Sequence, residues 1–312
     1  MAGPEDVTTL APIARRLGSV LEPVIGQVYF SPECHAAYAA LGFDPSPGEA
    51  GGVALPDGPA YFTSRGSVMG QVPGEVVAAA FAVFNPDAVV PAVRLGWTRT
   101  DAATICAART DGAVGQLVRL LGERPEGVER AVDLLARAAE PLGPEGRPLF
   151  AGLRSLGVPD EPLAAMWRLG DLLREYRGDS HTTAWVSAGF DATEIGLLTE
   201  LYWGMPARSY SRTRAWTGEQ FDAATDRLRS RGLVETAADD APGGVALTDD
   251  GRAAREAVEL RTDAQMRPAL AALGDDLDEL CAIMTPWGAT VRAGGGYLAS
   301  GPHDLAPDRP AT

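Results

Sequence analysis

A chain of 312 residues that is 46% hydrophobic is long enough for two packed domains and too apolar to stay unfolded. Its formal charge of −15 and isoelectric point near 4.6 oppose any partner held by neutralising phosphates, which disfavours nucleic acid and anionic lipid. All 27 cationic side chains are arginine, and with abundant alanine, glycine and proline a GC-rich coding bias accounts for this.

Cys34, Cys106 and Cys281 are odd in number, far apart and without a C-x-x-C pair, so neither a disulfide framework nor a structural zinc is expected. The first residues carry acid where a signal peptide carries base, and no apolar run approaches a membrane span; the expectation is a cytoplasmic protein with no membrane partner.

Taken in order, residues 8–27 repeat Leu10, Ile13, Leu17, Val20, Leu21 and Val24 at helical spacing, with Pro23 expected to kink or end the helix. Ser31-Pro32-Glu33 supplies a capping hydroxyl, a proline at the first helical position and a first-turn acid, so 32–41 reads as a short helix closed by Gly42. Glu33 suits dipole complementation before catalysis. Residues 44–59 read as a Gly/Pro-rich loop, continued by 60–70, where Arg65 stands among aromatics in a stretch suited to lining a pocket. An apolar helix over 73–84 stops at Asn85-Pro86, because proline drives the residue before it out of helical geometry. Further helices are expected over 86–96, over 98–121 with Thr98 or Thr100 as cap, and over 130–139.

Pro141-Leu-Gly-Pro-Glu-Gly-Arg-Pro148 offers little to pack and is the natural domain boundary, with the join near Glu145. Short helices over 149–156 and 162–174 then lead to Glu175-Tyr-Arg-Gly-Asp-Ser-His181. This stretch gathers Arg177, Asp179 and His181 within five positions, and Gly178 is expected to turn the backbone there. Beyond it come helices over 192–203 and 221–231, short strands at 233–235 and 245–247, and one long helix over 252–273. The tail from 293 onward, with His303, reads as disordered.

Leu228-Arg-Ser-Arg-Gly-Leu-Val-Glu235 before a wing and Ala246-Leu-Thr-Asp-Asp-Gly-Arg252 after it resemble the winged helix-turn-helix of the MarR group over 182–273. The whole chain further resembles an actinobacterial MarR-like family of largely unassigned function. The matching segments are Tyr29-Phe-Ser-Pro-Glu33, Ser64-Arg65 to Val77, Phe84-Asn-Pro86, Gly146-Arg-Pro-Leu-Phe150, the Arg-Gly-Asp-x-His signature at Arg177 to His181, and the Trp216 region. Tyr176 stands where the resemblance implies a histidine, which counts against a two-histidine metal site. Phe84-Asn-Pro86 with Trp97-Thr98 also echoes Trp203-Gly-Met-Pro206 with Trp216-Thr217, each Trp-Thr pair being expected to open a helix; either the halves are distant copies or the match is chance. The expected fold is mostly α: a helical domain over 1–145, which the echo would make a degenerate helix-turn-helix copy, and a winged-helix domain over 146–292 with a small β-wing.

The leading residues of the helix after Trp216 are Gly218, Glu219, Gln220 and Asp222, and the wing Glu235-Thr-Ala-Ala-Asp-Asp-Ala-Pro-Gly-Gly244 carries three acids and no arginine, so phosphate would meet repulsion. Arg208, Arg212 and Arg214 form the one basic cluster available to DNA, or pair with surface acids. A histidine near an aspartate in a turn can serve as an oriented acid/base beside an arginine that anchors an anion. His181, Asp179 and Tyr176 are therefore the catalytic candidates. Arg177, Arg65, Asn85, Trp185, Tyr202 and Trp203 are the ligand-binding candidates, the aromatics serving equally as core and His181 as a buried helix-satisfying histidine. No P-loop, Rossmann fingerprint, H-E-x-x-H or nucleophile elbow occurs, so no cofactor is expected, and Cys34 with adjacent His35 points about 100° apart on a helix. The expectation is a small-molecule-binding protein that has lost DNA readout, a cofactor-independent acid/base enzyme of specialised metabolism, dimeric through 252–273; the alternative is a ligand-responsive MarR-like regulator.

Overall fold

A computed structural model describes residues 7–237 and 244–299. The fold is mostly helical. Helix α1 (Val7–Ile25) runs through both Pro12 and Pro23 and tightens into a 3-10 turn, Gly26–Phe30. Helix α2 (Pro32–Ala40) begins as its sequence dictates, with Ser31 accepting from the Cys34 N–H, and closes at Gly42 with φ 92°. The expected 44–59 loop contains a minimal hairpin, β1 (Glu49–Ala50) with β2 (Val53–Ala54), Glu49 opposite Ala54.

Residues 60–70 are not a loop: helix α3 (Gly58–Gly66) occupies most of them, because Asp57 accepts from the Ala60 N–H and Pro59 sits in the first turn. Helix α4 (Gly74–Phe81) ends at Ala82, held at φ 45°, and α5 (Pro86–Arg99) is capped by Asn85. Trp97-Thr98 lies inside α5, and α6 (Ala102–Leu121) takes Asp101 as its cap rather than Thr98 or Thr100. That removes the first half of the sequence echo, since only Trp216-Thr217 opens a helix directly. Helices α7 (Val128–Ala139) and α8 (Pro148–Ser155) follow.

Helix α9 (Pro162–Ser187) is the axis of the molecule. At 26 residues it is roughly 39 Å long, and every residue from Ala165 to Leu173 is buried, so that stretch meets protein on all sides. Helix α1 crosses at Gly170, where an added Cβ would fall 2.3 Å from Ile25 Cδ1.

After α9 come α10 (Ala192–Tyr202) and α11 (Gly218–Ser230), each opened by a reciprocal capping box, Asp191 with Glu194 and Thr217 with Gln220. Strand β3 (Val234–Thr236) pairs antiparallel with β4 (Val245–Leu247). Asp239 and Asp240 of the expected wing lie outside the described residues, as does His303. Gly251 is required by packing, because a Cβ there would fall 1.9 Å from the Leu233 carbonyl oxygen. The long helix expected over 252–273 is broken: α12 (Asp249–Gln265) stops at Met266, and Pro268 lies in the first turn of α13 (Arg267–Leu273). Helix α14 (Leu277–Ala293) packs on α1, and the tail expected to be disordered folds back over 294–299, burying Tyr297, whose hydroxyl donates to Glu22 at 2.7 Å.

Two apolar cores result. The first draws on residues from Leu10 to Tyr176 and again from Met266 to Tyr297, so it spans the Pro141–Pro148 stretch; the second runs from Ala184 to Val258. They change over within α9.

The segment between α10 and α11 holds only a 3-10 turn, Ser211–Arg214, and is fixed by one buried carboxylate. Glu200 accepts from the backbone N–H groups of Arg208, Tyr210 and Ser211 and from the Ser211 hydroxyl. Replacing it by alanine leaves four donors without that acceptor, so Glu200→Ala is expected to cost about 3 kcal/mol or more, and Glu200→Gln less. Urea denaturation measures both; equal, small losses would show that Glu200 does not hold this segment.

Candidate functional site

Gly178 makes no turn, and α9 continues through it to Ser187. At 100° per residue, the seven residues from Glu175 to His181 are therefore dealt out to different faces of one helix. Asp179 and His181, two apart, point away from each other, and the oriented pair expected from sequence does not form. Asp179 instead accepts from the Leu149 and Phe150 N–H groups, both at 3.1 Å, and caps α8. Burial, reinforced by the nearby Glu175 charge, pushes its carboxyl up to about 7. Tyr176 donates to the Gln265 carbonyl at 3.2 Å, and its ring lies beneath the Arg147 guanidinium at 4.2 Å. Neither Asp179 nor Tyr176 meets His181.

Arg177 and His181, one turn apart, share the face toward α12. Arg177 Nη2 donates to Glu259 at 3.0 Å and to Asp263 at 2.9 Å; Arg255 donates to Glu259 at 2.6 Å; Arg15 reaches Asp263 at 2.8 Å and Glu256 at 2.7 Å. Burial alone would raise the Glu259 carboxyl, but Arg255 and Arg177 outweigh it and hold it well below the usual range. His181 Nδ1 lies 3.1 Å from Thr262 Oγ1 and 3.9 Å from Glu259 Oε1. Since the Thr262 hydroxyl donates its one proton to the Val258 carbonyl, it accepts from His181, so Nδ1 carries a hydrogen toward it. Tyr202 donates to Glu256 and packs edge-on to Trp203, and buried Trp185 lies one turn beyond His181. This face thus joins Arg177, His181 and Tyr202 of the expected set through Glu259, Glu256, Asp263, Arg255 and Arg15, five residues that carry no sequence motif.

A second buried network gathers around the preceding turn of α9. Arg65 binds Glu175 through both forks, at 2.9 and 2.7 Å, and Arg174 binds Glu22 likewise, at 2.9 and 3.1 Å. The Tyr29 hydroxyl bridges them, 3.2 Å from Glu175 and 3.0 Å from Arg174. Burial would raise the Glu175 carboxyl, yet Arg65 and Arg174 bring it down to about 2. Arg65 is committed here rather than to His181. Asn85 is also committed: Oδ1 accepts from the Asp87 N–H, and Nδ2 donates to the Ala215 carbonyl at 3.0 Å. Glu22, Tyr29 and Arg174 were missed by sequence reasoning; the available signal was an acid inside the apolar stripe of α1, Leu21-Glu22-Pro23.

The basic cluster ahead of α11 is taken apart. Arg208 pairs with Asp222, and Arg214 folds inward onto Phe84 and Tyr210, leaving Arg212 exposed. On and after α11, Arg227 pairs with Asp191 and Glu194, Arg229 with Asp226, and Arg231 with Glu194. Among the described residues no group of three or more His, Cys, Asp or Glu side chains is placed to hold a metal, and no helix is long and apolar enough to cross a membrane.

The model of a helix-turn-helix family matches residues 14–298, nearly the whole chain, and the chain belongs to that family. Searches of curated proteins and of solved structures return no match.

The raised Asp179 carboxyl fixes a pH dependence. The unfolded chain releases this proton near pH 4, so the contribution of Asp179 to stability is full below about pH 4 and is lost as pH rises through about 7. Wild-type stability is expected to fall by roughly 2–4 kcal/mol from this group between pH 4 and pH 8, and Asp179→Asn to flatten that slope. Unfolding titrations at several pH values decide it; an unchanged slope in the variant would remove Asp179 as the source.

Proposed function

We propose that this member of the helix-turn-helix family is a small-molecule-binding protein whose winged-helix half no longer reads DNA. One observation carries the reading: Arg208, Arg227, Arg229 and Arg231, around α11, are spent on carboxylates of the same chain. A recognition helix needs basic or hydrogen-bonding residues free at its leading end and cations for phosphates around it. Here the exposed positions of α11 include Glu219, Asp222 and Asp226, and Glu235 is exposed on the wing strand. The helix that would precede a recognition helix is reduced to the Ser211–Arg214 turn clamped by Glu200. At a net charge of −15, approach to a phosphate backbone is opposed at long range as well.

The α9–α12 face is the place we assign to acid/base chemistry on a bound molecule. His181 keeps 24% side-chain exposure and its ring is oriented by Thr262, while Arg177, one turn away and held by Glu259 and Asp263, steadies that face. Asp179 and Tyr176, engaged elsewhere, have no part in it. The second reading, a ligand-responsive regulator acting as a dimer, is favoured by the family's helix-turn-helix character and by exposed Arg212.

The two readings separate on duplex binding. The purified chain is expected to leave the anisotropy of a labelled duplex of its own upstream sequence unchanged at about 50 mM salt, with Arg212→Ala indistinguishable from wild type. Binding that weakens by orders of magnitude toward about 200 mM salt, and that Arg212→Ala abolishes, would sink the first reading and establish the regulator.

A further inference from the structure

We propose that Arg214 is the anion-holding arm of a ligand site at the seam between the α4–α5 corner and the segment leading into α11, and that its ligand carries an oxyanion on a flat aromatic body. The inference rests on the reading of this chain as a small-molecule-binding protein and adds to it a second, anion-holding site apart from His181.

The backbone fixes Arg214 in place. The Asn85 N–H donates to the Arg214 carbonyl at 2.9 Å, Asn85 Nδ2 to the Ala215 carbonyl at 3.0 Å, and Trp216 Nε1 to the Val83 carbonyl at 2.9 Å. Both sides of the seam hold a non-glycine residue in the left-handed region, Ala82 at φ 45° and Ala215 at φ 63°. The side chain is then clamped: its guanidinium carbon lies 4.5 Å from the Phe84 ring centre and 4.5 Å from that of Tyr210, and Nη2 donates to the Tyr210 hydroxyl.

Charge sets what it lacks. Arg65 is balanced by Glu175 and Arg174 by Glu22, whereas Arg214, half-buried, has no carboxylate within ion-pair distance among the described residues. A planar guanidinium held between two rings offers its remaining N–H donors in a fixed fork that matches a carboxylate or phosphate. The walls set the body. Phe84 packs on Tyr61 at 5.7 Å and Tyr61 on Tyr29 at 5.2 Å; Arg174 lies over Tyr29. Tyr29, Tyr61, Arg174, Tyr210 and Arg214 are each half-buried, and Phe84 links Arg214 to the Tyr61, Tyr29 and Arg174 series of ring contacts. Aromatic faces favour a flat ring by offset or edge contact. A DNA phosphate is the weaker occupant, because Arg214 is turned inward while Arg212, two residues earlier, faces solvent.

Isothermal titration of the full chain with phenylacetate, phenyl phosphate and uncharged 2-phenylethanol tests this. One of the two anions is expected to bind, the alcohol about tenfold or more weaker, and the choice between anions tells carboxylate from phosphate. Arg214→Gln should weaken the anion about tenfold or more, Arg214→Lys less, and Arg229→Gln, in an exposed pair with Asp226, not at all. Thermal midpoints establish that each variant is folded, and Arg214→Lys carries the comparison should Arg214→Gln not fold. Affinity unchanged in the Arg214 variants, affinity lost equally in Arg229→Gln, or no anion bound at about 10 mM each overturns the site. Those outcomes leave the loss of DNA readout standing, since only the duplex titration bears on it.

Discussion

The ionic groups of α9 are largely withdrawn from water, and the surrounding helices are placed by the requirement that these groups find partners. Asp171 meets Arg109 of α6 at 2.8 Å, Arg174 meets Glu22 of α1, Glu175 meets Arg65 of α3, Arg177 meets Glu259 and Asp263 of α12, and Asp179 meets the amide end of α8. Buried pairs of this kind contribute little net stability against apolar replacements, but removing one partner is costly, so they select one arrangement of helices over others of similar apolar burial. That every cation is arginine fits this use: the fork of Arg65 or Arg174 satisfies both oxygens of one carboxylate at once, and Arg177 serves two acids, geometries that fix orientation better than a point charge.

Local chemistry was legible where it was self-contained. Ser31-Pro32, Asn85-Pro86 and Trp216-Thr217 mark helix starts that exist, because a cap is satisfied by residues within three positions. Gly178 was misread as a turn because its cost in a helix, about 1 kcal/mol, is set by sequence while the compensation is not. The compensation is the packing and ion pairing of α9 on several sides. An added Cβ there would lie 3.7 Å from Glu175 Oε2, an ordinary contact, so nothing in the fold demands a glycine. The site was half legible for the same reason. Arg177 and His181 were found by their proximity in sequence, whereas Glu259, Asp263 and Arg255 are more than seventy residues away and look like the solvated face of a polar helix. Glu200, inside Leu197-Leu-Thr-Glu-Leu201, looked like any acid on an amphipathic helix until the segment it holds was in view.

The family's helix-turn-helix frame and the proposed loss of a DNA-facing surface are compatible because they draw on different residues. The frame needs Phe221, Ala224 and Leu228 packed against Ile195 and Leu198, and keeps them. The reading surface needs cations with nothing else to bind. Arg208, Arg227 and Arg231 are drawn to Asp222, Asp191 and Glu194, so the same carboxylates that stiffen α10 and α11 also neutralise them.

The division of the two cores has a consequence for how the chain is made. The second core is contiguous, from Ala184 to Val258, and can close as soon as that stretch has left the ribosome. The first cannot: Glu22 and the apolar face of α1 wait for Arg174, for α14 and finally for Tyr297. The older half of the nascent polypeptide therefore matures last, holding exposed apolar helices and unpaired charge through most of synthesis, and is the half that needs protection from aggregation until the final helix docks.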